Sequence, residues 1–321
     1  MKTLLVAVVA AALSWPGALF AQAYPMKPVR YLVPFPAGGS PDIVARLLGE
    51  RLSRIWGQPV VIENRGGAGG TVAAAVAAKA APDGYTLLQC NIASNAIAYS
   101  LYAKLPYHPL RDFAPISRIG TTPSGLVVHP SMAAATIGEF IAYAKANPGK
   151  VSYGSTSAGS SPQLAMELFK SMANINVVHI AYKGAAPALA DLLGGQIPAA
   201  IANVPALLAP VQAGRMRALA VTSAKRASAW PSVPTLAESG MTGFDVTSWY
   251  GVCAPAATPR RIIEKVHADV STVLLSPEVQ QRMNDLVVDA APTSPEEFAA
   301  FIRAETNRWA KVVKDSGIPQ Q

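Results

Sequence analysis

Two stretches of the chain combine glycine and hydroxyl-bearing residues with the expected first turn of a helix. The first, FPAGGSPD, runs from Phe35 to Asp42, and the second, GSTSAGSS, runs from Gly154 to Ser161. A helix N-terminus carries free N–H groups and about half a positive charge, which favours a carboxylate or a phosphate. Glycine removes the side chain, so that these N–H groups can approach a ligand closely. Each stretch is therefore predicted to be an anion-binding loop.

Local residue preferences place a helix directly after each loop. Ser40 is predicted as the N-cap, Pro41 suits the first helical position, and Asp42 complements the helix dipole. In the second stretch, Ser161-Pro162-Gln163 opens a helix in the same way. A single glycine-rich turn is common in any α/β protein, but two matched loops favour a clamp that holds one anion from both sides.

Two other turns are weaker candidates. NRGGAGG, from Asn64 to Gly70, lacks both the G-x-G-x-x-G spacing and the Gly-Lys-Ser/Thr ending of phosphate-binding loops. Lys183, in the turn AYKGAAPAL, has the charge to bind an anion, but the favoured interpretation is that it is an ordinary exposed lysine in a turn. Neither stretch is included among the predicted ligand-binding residues.

The sequence gives little support for catalysis. GSTSAGS resembles a nucleophile elbow, but Thr156 occupies the position of the nucleophile in G-x-S-x-G. The four histidines are widely spaced, and no His or Cys pair has metal-ligand spacing. We therefore expect no enzyme activity, no metal and no cofactor. An exported serine hydrolase that uses Ser157 or a neighbour is the alternative, because a triad can assemble from distant residues.

The first 23 residues have the features of a secretory signal peptide. Lys2 supplies the positive end, Leu4–Leu13 supplies a short apolar run, and Ala21-Gln22-Ala23 is an A-x-A cleavage site. The apolar run is too short for a permanent membrane span, although an N-terminal anchor is the alternative. Export to the periplasm is therefore predicted.

Composition and charge restrict the class of protein further. The chain is 51% hydrophobic and 14% charged, which argues against disorder. The formal net charge of +8 is scattered, with no basic run and no interleaved aromatic residues. This excess favours small anions in general and excludes a nucleic-acid partner.

Cys90 and Cys253 both lie in apolar segments. Buried free thiols are the favoured interpretation, because the sequence gives no Cα separation for the pair. A disulfide is the open alternative, since an exported protein folds in an oxidising compartment. Neither cysteine has a basic neighbour in sequence, so neither is predicted to be catalytic.

Strands alternate with helices along the chain, which predicts an α/β architecture with mostly parallel sheets. Strands are predicted at Val29–Phe35, Val60–Glu63 and Tyr85–Cys90. The segment Pro106–Gly125 has little periodicity and is predicted to cross to a second βα series. The helices predicted between Pro259 and Lys314 have no strands of their own, so they should return to the first sheet. The result is two α/β lobes, joined by two crossings, with a cleft between them.

Long segments of the chain resemble the Bug family, the extracytoplasmic receptors of tripartite tricarboxylate transporters. The resemblance begins with YPMKPVRYLVPFPAGGSPDIVARLLGERL and continues through VIENRGGAGG, KVSYGSTSAGSSPQLAMELF, VHIAYKGAAPALADLLGGQ and WYGVCAPAATP. It covers nearly the whole chain after the signal peptide. Motifs of this length and order are far more specific than a lone glycine loop.

The resemblance implies a two-lobed periplasmic binding fold of type II, with each lobe a mostly parallel sheet flanked by helices. Residues 24–124 and 247–321 would form the first lobe, and residues 125–246 the second. It also implies a monomeric receptor for a small carboxylated solute, such as a dicarboxylate, an acidic amino acid, an aromatic acid or a nicotinic compound. The closed receptor would dock on a membrane transporter subunit or a signalling partner.

In this family, backbone amides, hydroxyls and ordered water in the two loops hold the ligand carboxylate. Carried onto this chain, the resemblance implies that Phe35 flanks the ligand and that Ser94 lines the first-lobe side of the cleft. The complete set of predicted ligand-binding residues is Phe35, Pro36, Ala37, Gly38, Gly39, Ser40, Asp42, Ser94, Gly154, Ser155, Thr156, Ala158, Gly159, Ser160 and Asn203.

One segment departs from the family pattern. After GGQ, similar proteins often have VDVMFDN, whereas this chain has IPAAIAN. Pro198 and Ala202 thus replace two acidic residues, and Asn203 is kept. If an acidic side chain there holds a cationic ligand group, this chain lacks it, so a plain or aromatic carboxylate is favoured over an amino acid.

Overall fold

A computed structural model describes residues 24–315 and residue 320. The predicted signal peptide, residues 1–23, lies outside the described residues. None of the helices within the described range is long and apolar enough to cross a lipid bilayer.

Strands and helices alternate along most of the chain. In chain order the elements are β1 (Val29–Val33), α1 (Ser40–Trp56), β2 (Val60–Asn64), a 3-10 turn (Ala68–Gly70), α2 (Thr71–Ala78), β3 (Thr86–Asn91), a π-helical turn (Ala93–Ile97), α3 (Ala98–Leu101), β4 (Phe113–Val128), α4 (Ile137–Ala146), β5 (Ser152–Ser155), α5 (Ser161–Ala173), β6 (Val178–Ala181), α6 (Ala185–Leu193), β7 (Ala199–Asn203), α7 (Val204–Gln212), β8 (Arg217–Val221), β9 (Thr247–Pro255), α8 (Arg260–Leu275), α9 (Pro277–Asp285), β10 (Asp289–Ala290) and α10 (Pro295–Asp315).

Helix α1 illustrates how local sequence builds these elements. Its apolar residues recur at three- and four-residue steps, and those facing the sheet, such as Val44 and Leu48, are buried. Gly57 ends the helix in the left-handed conformation, at a φ of 61°, which glycine adopts at little cost. The N-cap is Gly39 rather than the predicted Ser40, which is instead the first helical residue.

The strands form two connected sheets flanked by helices, which is consistent with a two-lobed fold. The first sheet has the order β2-β1-β3-β9-β4. In the second sheet, β4 pairs with β7 on one edge and β8 on the other, and β5 and β6 follow β7. Pairs within the βα units, such as β1–β2 and β5–β6, are parallel, whereas β4 and β9 run antiparallel to their neighbours. Each sheet is therefore mixed.

Strand β4 passes from the first sheet into the second. Its residues from Phe113 to Pro123 pair with β9, and those from Ser124 to Val128 pair with β7 and β8. Pro106–Gly125 therefore does cross to the second series, as predicted, but from Phe113 onward it does so as a strand and not as an irregular segment. Prolines, two glycines and two shifts in register, typical of β-bulges, hide the strand in the sequence because they remove the alternating pattern.

The helices after β9 pack on the first sheet, as predicted. Val266 of α8 shares a buried apolar cluster with Tyr31 of β1. Phe298 of α10 meets the Trp249 ring edge-on, with the ring centroids 5.7 Å apart. The Phe298 ring also lies directly on Gly251, where any Cβ would overlap it, so this close packing requires glycine in β9.

Cys90 and Cys253 form a disulfide, with their Cα atoms 5.8 Å apart. The favoured interpretation of two free thiols is therefore wrong. The cysteines are 163 residues apart in sequence but lie on the adjacent strands β3 and β9. Both are fully buried, so the disulfide joins these strands inside the core. Only the pairing of β3 with β9, which the sequence does not reveal, brings them together.

Candidate functional site

A cavity of about 170 Å³ lies where the ends of the first and second sheets meet. Its wall combines residues from both predicted loops with residues from four further segments. The lining residues are Phe35, Pro36, Ala37, Gly39, Ser40 and Pro41; Asn91 and Ile92; Thr156, Ser161 and Pro162; Lys183, Gly184, Ala185, Ala186 and Pro187; Asn203 and Ala206; and Ser248, Trp249 and Tyr250.

Four of the described helices, α1, α5, α6 and α7, begin at this cavity. The lining includes the first residues of α1 and α5, Ser40 and Ser161, together with Ala185 of α6 and the α7 N-cap Asn203. First-turn N–H groups have no partner within their own helix, and each N-terminus adds a partial positive charge. Among the lining residues Lys183 is the one with a charged side chain, and none is acidic. The cavity is therefore suited to an anion.

The first predicted loop contributes five of its predicted residues to the lining: Phe35, Pro36, Ala37, Gly39 and Ser40. Gly38 and Asp42 do not line it. Instead the Asp42 carboxylate accepts a hydrogen bond of 2.9 Å from the Gly38 N–H, and this bond links the loop to the first turn of α1. Asp42 is thus placed to hold the loop rather than to contact a ligand.

Two neighbours complete the hydrogen bonding of Asp42, which is only 3% exposed. Arg46 Nε donates to one carboxylate oxygen and Asn64 Nδ2 to the other, both at 2.9 Å. Asn64 Nδ2 also donates to the Phe35 carbonyl at 3.0 Å. Burial by itself would raise the pKa of the Asp42 carboxyl, but these hydrogen bonds outweigh burial and hold the pKa below its ordinary value. The carboxylate therefore stays ionised.

The second predicted loop contributes Thr156 to the lining, together with Ser161 at the start of α5. Gly154, Ser155, Ala158, Gly159 and Ser160, all predicted as ligand contacts, do not line it. The N–H of Gly159 donates to Gln163 Oε1 at 3.0 Å, and Ser160 Oγ donates to the Ser157 carbonyl at 2.7 Å. These groups hold the loop in shape, because they form hydrogen bonds within it and to the first turn of α5.

Ser155 is fully buried, and its Oγ lies 2.7 Å from His179 Nε2. Burial lowers the pKa of the His179 imidazole, more than nearby Glu167 raises it. Ser157 Oγ, the nucleophile of the alternative hydrolase, is buried and has no hydrogen-bond partner among the described residues. Neither Ser155 nor His179 lines the cavity, so the pair is not placed to act on a ligand there. The structure gives no support to the serine hydrolase.

Ser94 is also buried rather than lining the cleft. Its hydroxyl accepts from Asn91 Nδ2 at 2.9 Å and donates to Asn95 Oδ1 at 2.7 Å. The turn after β3 thus faces the cavity with Asn91 and Ile92, and Ser94 supports that turn from inside.

Asn203 lines the cavity, as predicted, at the end of β7. Its Oδ1 accepts hydrogen bonds from Ser124 Oγ at 2.9 Å and Ser248 Oγ at 3.0 Å. Its Nδ2 donates to the Tyr250 hydroxyl at 2.7 Å. Ser161 Oγ lies 2.7 Å from Ser248 Oγ and extends this network to α5. The network therefore joins β4, β7, β9 and α5 at one wall of the cavity.

Ala202, which replaces an acidic residue of the family pattern, is buried in an apolar cluster. It does not line the cavity, because successive residues of β7 face opposite sides and Asn203 takes the cavity side. The preference for a ligand without a cationic group therefore does not follow from this position. The cavity wall itself holds no acidic side chain.

Sequence reasoning missed the contribution of β9, which supplies Ser248, Trp249 and Tyr250. The WYG motif at this strand gave the available signal, because two large aromatics stand beside a glycine after an irregular segment. Lys183 is exposed, as expected, but it also lines the cavity.

Each predicted loop comes close to a neighbouring glycine-containing turn. A Cβ on Gly184 would lie 3.3 Å from Pro36 Cγ, and one on Gly69 would lie 2.7 Å from the Gly159 carbonyl oxygen. The NRGGAGG turn thus meets the second loop and contributes none of the lining residues. Its glycines allow the backbones to approach, which explains this motif without an anion.

Known proteins resemble this chain over most of its length. The model of the tripartite tricarboxylate transporter family receptor matches residues 44–318. Protein BugT of Bordetella pertussis is 39% identical over 92% of this chain and 91% of its own length. A protein of R. palustris solved with adipate is 36% identical, with a TM-score of 0.89 over 93% of this chain and 100% of its own.

A second solved structure, MatC from Rhodopseudomonas palustris with bound malate, is 31% identical. Its TM-score is 0.86, and the match covers 90% of this chain and 100% of MatC. The periplasmic binding protein BugD has a TM-score of 0.88 at 34% identity, over 93% of this chain and 100% of its own. The match of fold and sequence over nearly the whole described chain confirms the resemblance. The chain belongs to the tripartite tricarboxylate transporter receptor family, and it is a solute-binding receptor.

Proposed function

We propose that the cavity binds a small carboxylate that has no ammonium group. The observation that carries this proposal is the convergence of four helix N-termini and Lys183 on a wall that has no acidic side chain. A carboxylate gains from every one of these groups, whereas an ammonium group gains from none. The relatives solved with adipate and malate support the same class of ligand.

The lining residues predicted from the sequence are proposed as direct contacts, with Gly39, Ser40 and Asn203 at the helix N-termini. The aromatic rings of Phe35 and Trp249 are proposed to cover the carbon skeleton of the solute. Three other predicted residues act indirectly, because their side chains form hydrogen bonds with protein groups that hold the loops in shape: Asp42, Ser155 and Ser160.

Ligand is proposed to favour a closed form in which both loops contact it. The lobes would comprise residues 24–124 with 247–321, and residues 125–246, so that closure bends β4 and the start of β9. Ligand can drive closure only through tighter contact with the closed form. The receptor is proposed to be a monomer that is exported through residues 1–23, releases its solute unchanged, and docks closed on a transporter subunit or a signalling partner.

The Gly39→Val variant tests the assignment of the site. Gly39 has an extended backbone, with φ −80° and ψ 164°, which valine also adopts, and a Cβ there meets nothing closer than 3.6 Å. The valine side chain would therefore enter the cavity without straining the loop. A Gly138→Val variant on the exposed face of α4 is the matched control.

The measurement is thermal stabilisation by succinate, adipate, malate, benzoate and nicotinate. A millimolar carboxylate with a micromolar Kd should stabilise the wild type and Gly138→Val by about 4 kcal/mol. Gly39→Val should lose this stabilisation. Equal stabilisation of all three proteins would contradict the site, and no stabilisation of the wild type by any of the five would contradict the ligand class.

A further inference from the structure

The hydrogen bonds around Asn203 determine which way its neighbours point their hydrogens. Asn203 Oδ1 accepts from two serine hydroxyls, so its amide nitrogen faces the Tyr250 hydroxyl and donates to it at 2.7 Å. The Tyr250 oxygen is therefore an acceptor in this contact. Its own hydrogen must point elsewhere, because an oxygen that accepts along one direction donates along another.

No described residue, in the range 24–315 or at 320, accepts that hydrogen. Tyr250 lines the cavity and is only 2% exposed, so bulk water does not take the place of an acceptor. Burial raises the pKa of the Tyr250 hydroxyl, more than the hydrogen bond from Asn203 lowers it. The hydroxyl therefore keeps its hydrogen at physiological pH.

We propose that Tyr250 is a specificity-determining residue of the receptor, which donates its hydroxyl hydrogen to an oxygen of the bound carboxylate. The inference rests on the proposed function, since it assigns one contact within the same cavity. A hydroxyl that already accepts from an amide is polarised and becomes a better donor. A solute that places a carbon atom opposite Tyr250 would leave a buried donor unpaired, and the cavity would reject it.

The Tyr250→Phe variant removes the hydrogen and keeps the ring. Tyr31→Phe is the control, because Tyr31 is equally buried, its hydroxyl has no partner among the described residues, and it does not line the cavity. Both variants lose one buried hydroxyl, but Tyr250→Phe also removes the acceptor of Asn203 Nδ2, so the Kd reports on both roles of the Tyr250 hydroxyl together and a spectroscopic readout of its own hydrogen is needed as well.

Each protein is titrated calorimetrically with the member of the carboxylate panel that binds the wild type most tightly. Tyr250→Phe should bind it about tenfold more weakly or worse, whereas Tyr31→Phe should keep the wild-type Kd. An unchanged Kd for Tyr250→Phe, while the wild type binds, would overturn the inference and leave the proposed function standing. Binding of no panel member by the wild type would overturn both.

A spectroscopic measurement separates a direct contact from a loss of structure. In Raman difference spectra between the wild type and Tyr250→Phe, the tyrosine doublet reports whether the hydroxyl donates or accepts. Adding the same carboxylate should change this doublet from the form typical of a hydroxyl that only accepts a hydrogen bond to the form typical of a hydroxyl that both accepts and donates. A doublet that does not change when carboxylate is added would overturn the inference. A tenfold loss of carboxylate affinity in Ser161→Ala, with no loss in Tyr250→Phe, would overturn it as well.

Discussion

The Asp42 carboxylate is expected to set the shape of the first ligand loop, and the Asp42→Asn variant tests this role. The carboxylate accepts three hydrogen bonds of 2.9 Å, two of them on the same oxygen. Asparagine has the same shape but replaces one acceptor oxygen with a donor nitrogen. Whichever way the amide turns, an N–H of the amide faces another donor, so that at least one bond is lost.

The magnitude follows from the partners of the carboxylate. A hydrogen bond to a charged group contributes about 1.5–3 kcal/mol, and a buried donor left unpaired costs about 1–3 kcal/mol. Arg46 is 54% exposed, so water screens its share, whereas the Gly38 N–H belongs to the ligand loop itself. We expect a loss of about 3 kcal/mol in the free energy of unfolding and, because the loop is no longer held, at least a roughly tenfold loss in carboxylate affinity.

The effect should also depend on pH. The folded protein lowers the pKa of Asp42, so the carboxylate stabilises the fold above its unfolded-state pKa. That stabilisation is lost as the pH falls through the lower folded-state pKa. The difference in the free energy of unfolding between the wild type and Asp42→Asn should therefore be largest at neutral pH and should decrease in acid.

Urea denaturation across this pH range, together with calorimetric titration at neutral pH, measures both effects. Glu50→Gln is the control, since Glu50 lies on the same helix and pairs with Arg54 at the surface. The Glu50→Gln substitution should change the free energy of unfolding by no more than about 0.5 kcal/mol. An Asp42→Asn variant as stable as this control, or a stability gap that does not change with pH, would refute the reasoning.

Two further predictions concern the disulfide and the lysine. Replacing both Cys90 and Cys253 with alanine should cost roughly 5 kcal/mol at most, as expected for a link across 163 residues, and urea denaturation showing a cost below about 1 kcal/mol would count against a stabilising role. Lys183→Met should weaken carboxylate binding by roughly threefold to tenfold in low salt, and this difference should shrink in molar salt. Calorimetry in both buffers checks it, and equal affinities in low salt would argue that Lys183 does not face the ligand.

The helix starts beside the cavity were predictable because local chemistry determines them. Glycine, serine and proline at Gly39–Pro41 and at Ser160–Pro162 specify a helix N-terminus from a few adjacent residues. The same local patterns did not show which groups of each loop face inward. Asp42 and Ser160 stand at the predicted helix starts, yet both are used to hold their loops, which depends on the partners that the fold supplies.

The contribution of β9 could not be predicted for a different reason. Tyr250 and Ser248 reach the cavity only because β9 pairs with β3 and β4, which are far away in sequence. The disulfide between β3 and β9 was hidden by the same pairing. Such contacts depend on strand order, and one sequence does not contain that order in any short pattern.

Calorimetric titration with matched solutes of opposite charge tests the central claim most directly. Adipate and hexamethylenediamine have the same carbon skeleton length but carry carboxylates and ammonium groups, respectively. A cavity surrounded by helix N-termini and Lys183 should bind members of the carboxylate panel and reject the diamine. Binding of the diamine with an affinity equal to that of the tightest carboxylate would contradict the account.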